Sequence, residues 1–287
     1  MNISLDCIPC IANSFLRLLQ SGILPDAEKE SAMRHLLDFL AKVDYRQSPP
    51  ALGREMHRMI RDVLKNPDPY KEVKEKFNTM MLGFYDEFKK MVQQANDPFD
   101  TAMRLAIAGN VIDFGPQHQL DVMDTIQRVV HADLAINDSP QLRRDVQAAS
   151  TVLYVGDNCG EIVTDKLFIE VMNHPSVYFA VRGGPVLNDA TVDDAMNIGM
   201  DHVAHIVTTG DDAPGAVWET ASDDFRKLLL TADVVIAKGQ GNLEGLIDVK
   251  HTIYFLLVTK CDLIADRVGA KTGDFIVKKA QSNNRDI

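Results

Sequence analysis

The 287-residue chain is 46% hydrophobic and 25% charged, long enough to bury one large core or two small ones and too apolar to be disordered. Its 30 basic residues against 41 acidic ones leave a formal net charge of −11, which argues against a nucleic-acid partner or an anionic membrane surface, both of which need clustered Lys and Arg. No run approaches the roughly 20 apolar residues that span a bilayer. The segment Met1–Gln20 is interrupted by Asp6, Asn13 and Arg17 and lacks the features of a signal peptide. Four cysteines (Cys7, Cys10, Cys159 and Cys261) are too few for a disulfide scaffold of this length, so a reduced, cytoplasmic protein is expected.

From Cys10 to about Ala149 apolar residues recur at intervals of three and four, the helical period. Phe15, Leu18 and Leu19 form one stripe, and Leu36, Leu37, Phe39 and Leu40 another. A long run between Tyr70 and Ala95 carries Val73, Phe77, Met80, Met81, Phe84 and Phe88. Pro25, Pro49, Pro50, Pro67, Pro69 and Pro98 stand at helix starts. Residues 1–149 therefore read as a helical region with no strand. Its Phe77–Met91 stripe is core, and its charged Lys71–Lys76 stretch is a solvated face.

After Ser150 the texture changes. Nearly continuous apolar runs at Thr151–Val155, Ser176–Val181, His202–Val207, Asp233–Ala237 and Thr252–Val258 suit parallel strands covered on both faces. Helices are expected between them, at Glu161–Met172 and Asp223–Thr231. Residues 150–287 thus read as an α/β core with a mostly parallel sheet, packed with the helical region as one unit. His202 and His205 fall on opposite faces of a predicted strand and read as structural, and Gln281–Ile287 as a frayed tail.

In such a sheet ligands bind beyond the carboxyl ends of the strands. The predicted strands run into Gly156-Asp157-Asn158-Cys159-Gly160-Glu161, Arg182-Gly183-Gly184-Pro185 followed by Asn188-Asp189-Ala190-Thr191, Lys238-Gly239-Gln240-Gly241-Asn242, and Thr259-Lys260-Cys261-Asp262. Asp157, Asn158 and Asp189 offer hard oxygen ligands that suit Mg²⁺ or Mn²⁺. Helix N-termini near Gly160 and Gly241 favour anions, and Lys238 adds a positive charge. A cation, a lysine and amide donors together describe a phosphoryl site. Taken singly, an Asp or Asn after a strand is more often a helix N-cap, and Gly-Gly-Pro a turn. The convergence of several such turns carries the functional reading.

Other readings remain open at this level. No Walker motif is present, but Gly239-x-Gly241-x-x-x-Gly245 loosely matches a dinucleotide fingerprint, which would suit a nucleotide-dependent oxidoreductase. A non-catalytic metal- or ligand-binding protein on the same frame is the third reading. Cys7 and Cys10 lie three apart on one helix face, a spacing compatible with metal chelation if Cys261 joins them, and equally with buried structural thiols.

Together, Asp6-Cys7-Ile8-Pro9-Cys10, Ala108-Gly109-Asn110-x-Ile112-Asp113-Phe114-Gly115, Gly156-Asp157-Asn158-x-Gly160-Glu161, Asn188-Asp189-Ala190-Thr191, Lys238-Gly239-x-Gly241-Asn242 and Lys260-Cys261 resemble the ARMT-like metal-dependent damage-control phosphatases, specifically the stand-alone prokaryotic branch with an N-terminal Cys-x-x-Cys. The resemblance runs almost end to end. It implies a Rossmann-like α/β/α core with an N-terminal helical region, and hydrolysis of phosphate monoesters of sugars or of damaged phosphometabolites. It also implies a divalent metal (Mg²⁺, Mn²⁺, Co²⁺ or Ni²⁺) held by Asp157, Asn158 and Asp189. Lys238 would contact the phosphate, and Asn110, Asp113, Glu161, Arg182, Asn188 and Asn242 would line the substrate pocket. Either Asp157 or a water is the nucleophile. Cys159 stands where the family has a small residue, and would leave an oxidisable thiol beside the metal.

Overall fold

The computed structural model describes residues 1–20, 24–110 and 122–280. The first part supplies helices α1 (Cys7–Gln20), α2 (Asp26–Leu40), α3 (Pro49–Leu64), α4 (Lys71–Gly83), α5 (Tyr85–Gln94), α6 (Pro98–Gly109) and α7 (Val122–Val130). There follow β1 (Leu134–Asn137), α8 (Ser139–Ala148), β2 (Val152–Val155), α9 (Glu161–Met172), β3 (Val177–Val181), α10 (Val192–Asn197) and β4 (His205–Thr208). The chain closes with α11 (Asp223–Thr231), β5 (Val234–Lys238), α12 (Gly239–Leu246), β6 (Ile253–Val258), α13 (Asp262–Val268) and β7 (Phe275–Ala280).

The helix starts follow local chemistry. Asp97 caps α6 by accepting the Asp100 N–H at 3.0 Å, with Pro98 in the first turn where a missing N–H costs nothing. Ser222 caps α11 in the same way through the Phe225 N–H at 3.2 Å. The long apolar run from Tyr70 is broken at Phe84, so its core face belongs to two helices rather than one.

The strands form one sheet in the order β1-β7-β6-β5-β2-β3-β4. All pairings are parallel except β6 with β7. This is the expected α/β class, with three corrections in its strands, one of them β7, which no predicted run covered and which pairs antiparallel with β6. β1 lies ahead of residue 150, inside the stretch read as purely helical, and pairs in the common sheet with β7. Its side chains alternate between half-buried and exposed, so it lacks the continuous apolar run that marks a covered strand. The predicted strand at His202–Val207 starts only at His205, and His202 ends a 3₁₀ turn. The tail Gln281–Ile287 lies outside the described residues.

Successive β2 side chains serve opposite cores, as the two-residue strand period requires. Val152 and Tyr154 join a cluster with α6, α9 and Phe179, while Leu153 and Val155 join one with α11, α12 and Phe255. A third cluster, built on Phe15, Leu36, Leu52 and Ile60, holds α1, α2 and α3 together.

The helical region is bolted to the sheet rather than laid over it. α6 packs along α9, with Gly109 so close that a Cβ there would sit 2.7 Å from Thr164 Oγ1. Arg54, Arg58 and Arg61 line one face of α3. Arg54 pairs with Asp211 at 2.7 Å, Arg58 with Asp212 at 2.6 Å, and Arg61 donates to Asp212 and to the Pro185 carbonyl. Lys74, placed by sequence on a solvated face, is buried and pairs with Asp68 at 2.8 Å and Asp194 at 3.0 Å. The charged run misleads because its one inward position is satisfied by two acids, Asp68 just before the helix and Asp194 far away in the chain.

The loop after β4 packs against α12 without slack. A Cβ on Gly245 would lie 1.8 Å from the Ala216 carbonyl oxygen, a backbone atom. Gly245→Ala should therefore lower the unfolding free energy by about 1–3 kcal/mol, read from urea denaturation at constant m-value.

Candidate active site

The chain runs from β2 outward through β3 to β4, then returns to lay β5 on the other side of β2 before continuing to β6. The carboxyl ends of β2 and β5 therefore flank the switch point, where connections diverge and a crevice opens. Gly156-Asp157-Asn158 leaves β2 at this point, and β5 ends in Lys238 with Gly239 opening α12. Gly239 takes a φ of +77°, and a Cβ there would lie 1.9 Å from Asp157 Oδ2. A glycine is required because the carboxylate occupies the space of any larger residue.

The segment after β3 closes on the β2 loop through backbone bonds. Cys159 N–H donates to the Asn188 carbonyl at 2.8 Å, Ala190 N–H to the Asp157 carbonyl at 2.8 Å, and Asn158 faces Asp189 in an isolated antiparallel bridge. Arg182, 1% exposed, joins the side chains. Its Nη2 donates to Asp157 Oδ1 at 2.9 Å, its Nε to Asp189 Oδ2 at 2.6 Å and its Nη1 to Asn242 Oδ1 at 3.1 Å. From α6, Asn110 Nδ2 donates to Asp157 Oδ2 at 3.0 Å and Glu161 Oε2 at 2.7 Å. Asn158 Nδ2 donates to the same Asp157 oxygen at 3.1 Å.

Lys238 corrects one expectation. It is fully buried, and its Nζ donates to Glu161 Oε1 at 2.7 Å, Asp165 Oδ1 at 2.6 Å and the Ala106 carbonyl at 2.7 Å. An ammonium has three donors, so none is left for a phosphate. Glu161, Arg182 and Asn242 are likewise buried, with their polar groups bonded to other protein groups of the site. Asn242 Nδ2 donates to the carbonyls of Gly156 at 3.0 Å and Lys238 at 2.6 Å, tying the ends of β2 and β5 together. Asn188 is half-buried, and its carbonyl accepts the Cys159 N–H. Asp113 lies outside the described residues.

Asp165 is the residue that sequence reasoning missed. It accepts from Lys238 and from the Tyr154 hydroxyl at 2.7 Å, and its Oδ2 is buried without a partner. The sequence offers only an acid four residues after Glu161 on the same helix face, with nothing to mark its partners.

The electrostatics are those of an under-neutralised anionic site. Among the described residues Asp157, Glu161, Asp165 and Asp189 pair directly with Arg182 and Lys238, with Lys260 acting on Asp157 and Asp189 at longer range, so four carboxylates against two paired cations leave two negative charges when all are ionised. Burial, then the charges of Asp189 and Glu161, push the Asp157 carboxyl up to about 8 against the pull of Arg182 and Lys260. Burial raises Asp189 despite Arg182. Burial also raises Asp165 to about 7, opposed by Lys238. A divalent cation fits this charge deficit, and the buried Oδ1 of Asn110 has no donor, leaving a carbonyl oxygen beside two of the acids. Among the described residues no three His, Cys, Asp or Glu side chains form a metal-holding group. A cation at this site would therefore need amide oxygens beside the carboxylates, and Asn158 adjoins Asp157 and faces Asp189.

The cysteines do not gather into a ligand set. Cys10 is exposed, Cys7 is half-buried against the Ser4 N–H at 3.4 Å, and Cys261 is half-buried with its sulfur 3.6 Å from Gln240 Nε2. The chelate expected of Cys7, Cys10 and Cys261 is not among the metal-holding groups of the described residues, because it would need all three thiols on one point. Cys159 is buried, and burial together with the charge of Asp194 pushes its thiol up, which makes it inert rather than oxidisable. The glycine pattern after β5 also has a local cause. Gly239 faces Asp157, Gly241 the Pro214 carbonyl and Gly245 the Ala216 carbonyl, so this chain itself fills the space that a dinucleotide fingerprint keeps for a pyrophosphate.

The profile of the damage-control phosphatase ARMT1-like domain matches residues 3–276. An uncharacterised protein of Methanocaldococcus jannaschii is 31% identical over 96% of this chain and 94% of its own length. A damage-control phosphatase of Pyrococcus horikoshii is 32% identical over 96% of this chain and 97% of its own. A damage-control phosphatase of Archaeoglobus fulgidus is 34% identical over 79% of this chain and 81% of its own. The crystal structure of a DUF89 family protein from Pyrococcus horikoshii superimposes with a TM-score of 0.90 at 31% identity, covering 98% of this chain and all of that one.

The raised Asp157 carboxyl has a measurable sign. Between its unfolded value of 3.8 and about 8, the folded protein holds a proton that the unfolded chain releases, so stability falls as pH rises through that window. In chelator-treated protein, Asp157→Asn should flatten the decline in unfolding free energy between pH 5.5 and 8 by up to about 1.4 kcal/mol per pH unit, measured by urea denaturation across that range.

Proposed function

Because the chain belongs to the damage-control phosphatase ARMT1-like family, we propose that it is a divalent-metal-dependent phosphatase that hydrolyses phosphate monoesters of small metabolites, sugar phosphates or damaged phosphometabolites among them. The observation that carries this reading is the pair of carboxylates, Asp157 and Asp189, held at the sheet's switch point by one guanidinium, within a group of four carboxylates that two paired cations leave two charges short of neutrality when all are ionised. Such a site is built for a dication and, through it, for an anionic substrate.

Asp157, Asp189 and the Asn158 amide oxygen would hold the metal, with Mg²⁺, Mn²⁺, Co²⁺ and Ni²⁺ all compatible with oxygen donors. When bound, it supplies the positive charge that draws in the phosphate and makes its phosphorus more electrophilic. The protein's own part is to keep these oxygens in place. Arg182 orients one oxygen from each acid, so neither carboxylate can turn away from the crevice. Asn110 and Asn158 hold the other Asp157 oxygen. Glu161 and Lys238 form a fully buried pair behind them, which sets the potential of the site without touching substrate. Asn188 and the N-termini of α9 and α12 face the crevice side, where helix dipoles favour a phosphate dianion.

We assign the attack on phosphorus to water. Both oxygens of Asp157 are committed to Arg182, Asn110 and Asn158, and a carboxylate held in this way is poorly placed to become an acyl phosphate. The small phosphorylated substrate, the metal dependence and the role of each residue stand or fall on a single assay.

Chelator-stripped protein should release phosphate from p-nitrophenyl phosphate and from a panel of sugar phosphates only when a divalent metal is restored. Asp157→Asn and Asp189→Ala should each lower kcat/KM by at least about 100-fold. Lack of release with every metal from folded protein would remove the catalytic reading. Acid-quenched turnover with labelled substrate should leave no phosphoryl group on the protein, and label on Asp157 would transfer the nucleophile's role to it.

A further inference from the structure

Helix α4 belongs to the N-terminal region and carries none of the acids, yet its buried face reaches both acid-bearing loops. Asn78 Oδ1 accepts the Gly160 N–H at 2.6 Å, across 82 residues of sequence. Gly160 stands at the N-cap of α9 with a φ of +84° and no side chain of its own to cap that helix. Its amide is one of the free donors of a helix start, and Asn78 is the acceptor that fixes where Asp157-Asn158-Cys159-Gly160 turns into α9.

One turn earlier on the same helix, Lys74 Nζ reaches Asp194 Oδ2 at 3.0 Å. That carboxylate closes a capping box at the start of α10, accepting the Thr191 N–H at 2.9 Å and the Thr191 hydroxyl at 2.6 Å. Thr191 directly follows Asn188-Asp189-Ala190. Residues one turn apart on a helix share a face, so a single rigid element holds the loop of Asp157 and Asn158 with one side chain and the loop of Asp189 with the other.

We propose that α4 is a working part of the phosphatase site, with Asn78 and Lys74 as positioning residues that set the separation of the Asp157 and Asp189 loops and hence the affinity for the metal. This inference rests on the metal-dependent reading above. It gives the helical region a role in binding that neither residue could have by contact, since neither touches the acids. Groups that orient the first ring of ligands commonly govern metal affinity by about 10- to 100-fold.

The test is direct titration of chelator-stripped protein with Mn²⁺ by calorimetry, well below the unfolding temperature, beside metal-dependent phosphate release. Asn78→Leu keeps the volume and removes the acceptor. It should raise the Mn²⁺ dissociation constant, and the half-saturating Mn²⁺ for activity, by about 10- to 100-fold, while KM for substrate at saturating Mn²⁺ stays near the wild-type value. Asn78→Asp retains an acceptor and should restore most of the affinity. Lys74→Met provides a second route to the same weakening should the first variant fold poorly. Lys71→Ala, on the exposed side of α4, should bind Mn²⁺ as the wild type does. Wild-type Mn²⁺ affinity in both Asn78→Leu and Lys74→Met would overturn the proposal. An absence of Mn²⁺ binding to the wild type would instead overturn the metal reading beneath it.

Discussion

Two carboxylates on different loops do not approach one another in a buried site unless something offsets their repulsion, and here that is the guanidinium of Arg182. It is the one group that touches Asp157, Asp189 and Asn242 at once. The planar fork of an arginine presents donors at fixed angles, which lysine cannot reproduce. Burying such an ion network is not an efficient source of stability, because desolvation cancels much of the attraction. Its effect is geometric: the acid oxygens leave the sheet at a set spacing, and the charge that remains unbalanced is available to a cation.

That arrangement is possible only because of where the strands diverge. β2 and β5 are neighbours although 78 residues and several elements separate the end of one from the start of the other. Their ends bring a loop with two metal-type ligands against a helix start whose first residue must be glycine. Asn242 ties those two ends, and α6 closes the third side through Asn110 and the Ala106 carbonyl. The helical region and the sheet are thus parts of one site, and a boundary near residue 150 describes the change in texture better than it describes the structure. The sheet itself crosses that boundary at β1.

The buried charges show where reading a sequence stops. Lys74 sits in a run of charged residues and Lys238 follows an apolar strand, and both look like exposed or ligand-facing cations. Each is instead enclosed by acids, Asp194 from a distant loop and the nearby Asp68 for one, Glu161 and Asp165 from a distant helix for the other. Residue type and spacing report that a charge exists. They cannot report whether its counter-ion arrives from a distant element, and that decides if the charge faces a substrate or supports the groups that do. Asp165 was invisible for the same reason, since a polar residue on an apolar helix has meaning only once its partners are known.

The periods of the apolar residues determined the helices α9 and α11 to their ends and four of the strands, because those patterns depend on neighbours within a few positions. The turns after the strands also put Asp157, Asn158 and Asp189 at the carboxyl edge of the sheet, where a parallel sheet binds its ligands. Tertiary structure alone decided that Arg182 would clamp the acids, that Lys238 would lie behind them, that Gly239, Gly241 and Gly245 would make room for this chain's own atoms, and that α4 would reach both loops. Each of these is a contact between residues far apart in sequence, and such contacts follow from how layers stack and where the strand order turns, which no local pattern encodes.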